Sequence, residues 1–172
     1  MPVIRVLNRF QTKIEIFNGW LFRANNDPFF FSIQRGAIAL LGSAIVATLF
    51  SIGDIEIRKA NSEYLFAQIL TLTLFAPLFE NLVLVFFLEL VNKCRLSITM
   101  VTLFSALLMS SFHAIFSFVW GVVILWPFYI FGAIYLTLRD LGKKKAYFLS
   151  VLAHSIQNLP PAIMLYVAER TS

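Results

Sequence analysis

The chain has 172 residues, 59% of them hydrophobic and 13% charged, against about 25% charged in a soluble domain. A mean hydropathy of +0.81, with nineteen Phe and three Trp, excludes an ordinary soluble domain and fits a protein solvated by lipid. A single cysteine, Cys94, excludes an internal disulfide and any multi-cysteine metal site.

Residues 1–28 mix Arg5, Arg9 and Lys13 with Ile, Phe and Trp20 in the stretch IRVLNRFQTKIEIFNGWLF. They lack a continuous apolar core and a small-residue cleavage site, so a cleaved signal peptide is not expected. The segment reads as basic and amphipathic, lying on the membrane surface; the plainer alternative is a weakly ordered cytoplasmic tail. Four apolar blocks follow, at 29–52, 64–91, 96–138 and 146–168. About 20 helical residues cross a bilayer core, so the 43 residues of the third block are too many for one pass and right for two. A turn near Trp120 and Gly121 is the natural break. The expected fold is an all-α, polytopic transmembrane bundle in one domain over 29–172, with five helices at roughly 29–52, 64–92, 97–119, 121–139 and 146–168. Arg35, near the start of the first, is expected to snorkel to the interface.

The basic residues give an orientation. With the N-terminus in the cytoplasm, eleven of the fourteen Lys and Arg lie inside: Arg5, Arg9, Lys13, Arg23, Arg35, Lys93, Arg95, Arg139, Lys143, Lys144 and Lys145. Arg58, Lys59 and Arg170 lie outside. The net charge of +5 then faces anionic headgroups, and membrane lipids rather than nucleic acid are the expected partner.

Ionisable groups inside a membrane helix cost about 2.5–3.5 kcal/mol on insertion scales, so each needs a reason. Glu80, His113, His154 and Asn158 stand inside the apolar blocks, with Asn81 beside Glu80. At about 1.5 Å per residue, Glu80 lies roughly 18 Å from the cytoplasmic end, His113 roughly 24 Å, His154 roughly 12 Å and Asn158 roughly 18 Å. Three helices thus bring polar groups to one middle slab. His154 and Asn158, at i and i+4, share a helix face. Gln68, Ser105, Ser110, Ser111 and Ser155 read as helix-contact residues, and Glu89 as reaching the interface. There is no HExxH, GxSxG or GxGD, and Asp27, Asp54 and Asp140 all fall at predicted loops or ends. The chemistry stays open between a two-histidine, one-carboxylate zinc set, metal-free activation of water with His and Asn donors for an oxyanion, and a proton or ion relay. A packing role for the same groups is the structural alternative.

The order and spacing of three short motifs narrow this. APLFENLVLV places Pro77 three residues before Glu80, MSSFH ends on His113, and HSIQN runs from His154 to Asn158. Over about residues 70–165 the chain resembles the CPBP family, also called Abi. That family comprises the type II CAAX prenyl endopeptidases and the bacterial bacteriocin-processing and self-immunity proteins. Its pattern is EExxxR after a Pro, then FxxxH, then HxxxN or HxxxB. The resemblance implies an intramembrane glutamic endopeptidase acting on a membrane-associated protein or peptide, with no cofactor or metal. Glu80 and His113 would activate water, and His154 and Asn158 would stabilise the oxyanion. The chain departs from the pattern at Asn81 (family Glu), Val85 (family Arg) and Met109 (family Phe). The first two are lost together, which leaves no unpaired charge in lipid. The chain is short for a eukaryotic prenyl protease, so a prokaryotic enzyme of the inner membrane is expected. A membrane immunity or scaffold protein on the same fold is the non-enzymatic alternative.

Overall fold

The computed structural model describes residues 19–24, 26–50 and 64–171. Over these the fold is all-helical: α1 Pro28–Phe50, α2 Leu65–Asn92, α3 Ile98–Ala114, α4 Phe118–Leu138 and α5 Lys143–Thr171. Four of them, all but α3, are long and apolar enough to cross a membrane. The interfacial segment expected before α1 lies mostly outside the described residues.

Local chemistry sets the helix ends. Asp27 Oδ1 accepts from the amides of Phe29 and Phe30 at 2.8 and 3.2 Å, with Pro28 at the first helical position, where a missing N–H costs nothing. Ser97 and Ser117 cap α3 and α4 in the same way. The second cap corrects one expectation. The α3–α4 turn lies at 115–117, not at Trp120 and Gly121, which belong to the first turn of α4. Gly121 serves a close helix crossing instead: a Cβ there would stand 2.6 Å from the Ala114 Cβ and 2.9 Å from the Ser110 carbonyl. The 17 residues of α3 therefore end one residue after His113.

α4, FVWGVVILWPFYIFGAIYLTL, is apolar all round, as a central helix must be. Its apolar stretch is 56% buried, against 22–33% in the other three long helices. It packs on α1, α3 and α5, and α1 also packs on α5. α1 is thus an integral part of the bundle. The outward surface carries Phe66, Phe79, Phe86, Phe104 and Phe116, all exposed, as lipid-facing positions would be.

Arg35 does not snorkel. It is 1% exposed. Its Nη2 donates to the Trp20 carbonyl at 2.9 Å and its Nη1 to Gln34 Oε1 at 3.2 Å. The guanidinium lies 3.4 Å from the Trp20 ring centroid and 4.7 Å from that of Phe31. The chain before α1 folds back over the cation, and the aromatic faces take the place of water.

Candidate active site

α2 is irregular in the middle, and Pro77 is the reason. A proline inside a helix clashes with the carbonyl four residues back and offers no amide. The helix widens to a π turn over Thr71–Phe75, a distortion often found at functional sites. The Ala76 amide reaches back five residues to the Thr71 carbonyl. The next bond in that register, from residue 77 to Leu72, cannot form because proline has no N–H. The Leu72 carbonyl is left over, and Asn158 Nδ2 of α5 donates to it at 2.9 Å.

One helical turn beyond Ala76, Glu80 stands between two imidazoles. Its Oε1 is 3.8 Å from His113 Nε2 and its Oε2 is 3.6 Å from His154 Nε2. Both separations exceed direct hydrogen-bond range. The carboxylate offers one oxygen to each ring. Glu80 and His113 are partly exposed and His154 is buried.

The far nitrogens of the two rings are held by opposite kinds of partner. His113 Nδ1 lies 2.9 Å from the Met109 carbonyl, an acceptor, so Nδ1 carries the proton and the neutral ring presents a lone pair at Nε2. His154 Nδ1 lies 2.8 Å from Asn81 Nδ2. The Asn81 amide can be oriented from its other partners. Nδ2 also faces the Pro77 carbonyl at 2.9 Å, which only accepts. Oδ1 accepts from Ser150 Oγ at 2.8 Å, and that hydroxyl also reaches the Phe131 carbonyl at 2.9 Å. Nδ2 therefore donates to His154 Nδ1, and the neutral ring carries its proton on Nε2, toward Glu80. The two histidines are opposite tautomers, one a base and one a donor. Phe131 stacks on His154 at 4.5 Å and Phe128 meets it edge-on at 5.7 Å, which locks the ring.

These groups line a cavity of about 420 Å³ built from α1, α2, α4 and α5 and the end of α3. Ala47, Val123, Ile124 and Pro127 give it apolar walls. All four residues expected from the sequence, Glu80, His113, His154 and Asn158, line it. Among the described residues no three His, Cys, Asp or Glu side chains are arranged to hold a metal ion. Sequence reasoning did not find Ser150 or the Leu72 carbonyl; Pro77 inside an apolar helix was the available signal for the second. Of the expected helix-contact residues, Ser110 donates to the Gly121 carbonyl across α3 and α4 at 2.6 Å, while Ser111 bonds within its own helix. Glu89 accepts from Tyr135 at 2.7 Å and from Lys143 at 2.9 Å, tying α2, α4 and α5 at the basic end.

No protein-family profile, curated protein or solved structure matches this chain.

Proposed function

We propose that the chain is an intramembrane glutamic endopeptidase, a divergent relative of the CPBP family, with five membrane-crossing helices and a cytoplasmic N-terminus in a prokaryotic inner membrane. One observation carries the reading: a glutamate lies between two histidines whose far nitrogens face opposite kinds of partner, inside an apolar cavity. Each ring has the protonation that a different half of peptide hydrolysis requires.

Water held by Glu80 and His113 attacks the carbonyl carbon of the scissile bond. Its proton passes to that pair, with His113 Nε2 as the acceptor site. The carbonyl oxygen gains the electron pair and is met by His154 Nε2–H and by the second amide hydrogen of Asn158, the first being spent on Leu72. When the tetrahedral intermediate collapses, the C–N bond breaks and the stored proton goes to the leaving amine. Preorganised donors of this kind contribute about 10²–10³ in kcat each.

Glu80→Gln keeps shape and removes the carboxylate that holds and polarises the water with His113. Membranes carrying it should lose a defined set of processed protein termini by mass spectrometry, with the protein accumulating normally. Unchanged termini alongside normal accumulation of the variant reject the hydrolase.

A second reading is supported by the interhelical bonds of Asn81 and Asn158, which suit a scaffold or immunity protein whose polar cluster joins helices. It requires Glu80→Gln and His113→Ala to lower thermal stability in detergent. The hydrolase reading requires both to be neutral or stabilising, since functional polar groups are held at a cost to stability.

A further inference from the structure

Among the described residues, the lining of the cavity extends toward one end of the bundle. Its floor is Glu80, His154 and the ring of Phe131, and every other lining residue lies further along its helix from the basic connections. The rim comprises Ala47, close to the end of α1, the exposed Ser117 and Trp120 at the start of α4, and the exposed Pro161 on α5. Below the floor the described helices are packed together. Asn81, Leu84, Leu88, Ile134, Leu138 and Ser150 are fully buried there. The bridge from Tyr135 through Glu89 to Lys143 closes that end. The closed end is the basic one: Lys93 and Arg95 stand on the α2–α3 connection, and Arg139, Lys144 and Lys145 at the α4–α5 connection. Basic connections stay in the cytoplasm.

We infer that the site is loaded from the extracytoplasmic side. Its substrate is an apolar peptide segment of a protein exposed on the outer face of the membrane, such as a leader or a C-terminal anchor, not a cytoplasmic tail. This rests on the hydrolase reading for the word substrate, but not for the side of access. The wall chemistry fits the segment: Val119, Val123, Ile124 and Phe128 accept apolar side chains, and the floor holds the polar groups that meet a peptide bond. Exposed Phe116, Phe118 and Trp120 stand at the α3–α4 connection at the rim end, where an interfacial aromatic belt would hold it at the bilayer surface.

The chain supplies its own reporter. Cys94, its one cysteine, is exposed on the α2–α3 connection, at the closed end. A membrane-impermeant maleimide should label wild type in inverted vesicles and not in right-side-out spheroplasts. Ser117→Cys in a Cys94→Ser background should label in spheroplasts and lose labelling in inverted vesicles. Ser117 caps α4, so Val119→Cys in the same background provides a second probe at the rim. Labelling of Cys94 and the rim cysteines from the same side overturns the inference, as does Cys94 labelling from outside. Rim cysteines silent from both sides overturn it too. Termini lost on Glu80→Gln should map to outer-face segments, and termini on cytoplasmic tails also overturn it. If labelling comes out as expected while no terminus changes, the hydrolase reading fails and the side of access stands.

Discussion

At the scale of single residues, Asn81 is the most informative position. A carboxylate is expected there from the family pattern, and the amide that replaces it does something a carboxylate cannot: it donates to His154 Nδ1. A carboxylate would accept, and the ring would move its proton to Nδ1. Nitrogen-15 NMR of histidine-labelled protein should therefore show opposite neutral tautomers for His113 and His154, and Asn81→Asp should protonate His154 Nδ1. Two rings of the same tautomer in the wild-type protein would refute the assignment. If the neutral ring loses its Nε2 donor, kcat should fall about 10²-fold, with the protein still folded. Val85, the other departure, packs against the core. No cation is left behind for Asn81 to neutralise, so exchanging both positions together is electrostatically consistent.

At the scale of helices, the bundle depends on close backbone approach. A Cβ at Gly36 would stand 2.7 Å from the Ala153 carbonyl oxygen, and 3.0 Å from its Cα. Backbone cannot step aside as a side chain can. Gly36→Ala should push α1 from α5, one residue from His154, and cost about 1–3 kcal/mol by denaturation in detergent, as overpacking does. At the basic end the Glu89 bridge divides unequally. Tyr135 is buried, so Tyr135→Phe removes a hydrogen bond to a charged group, at about 1.5–3 kcal/mol. Lys143 is 69% exposed, so Lys143→Ala should cost at most about 1 kcal/mol. Equal losses for the two would contradict this division. Helix positions were legible in the sequence because lipid selects long apolar runs. The α3–α4 turn was not, since a glycine inside an apolar run serves a turn or a close crossing equally well, and only the neighbouring helix decides which. Arg35 was misread for a similar reason: snorkelling assumes that nothing covers the cation, and Trp20 comes from fifteen residues away.

For the whole molecule, the all-helical architecture and the gathering of Glu80, His113, His154 and Asn158 into one place followed from apolar block lengths and from the i, i+4 spacing. What orients them did not. The tautomers depend on Met109, Asn81 and Ser150, and these contacts are long-range or made by backbone, with no trace in periodicity. The end at which the cavity opens is likewise a property of the assembled bundle. It combines a packed lower core with a short α3 that ends one residue after His113.

The π turn in α2 also bears on how the chain could tolerate a change of length. Successive residues of an α-helix are rotated by about 100°, so losing one residue from Ala76–Asn92 would swing one half of α2 against the other and break the bundle. Losing one from Thr71–Phe75 should not. The π turn already accommodates a supernumerary residue, and its removal keeps both halves facing as before. A deletion at 73–75 sets Leu72 four residues before Pro77, which has no N–H to give its carbonyl, so that carbonyl stays available to Asn158. A one-residue deletion at 73–75 should therefore leave a folded protein in which Asn158 keeps its acceptor.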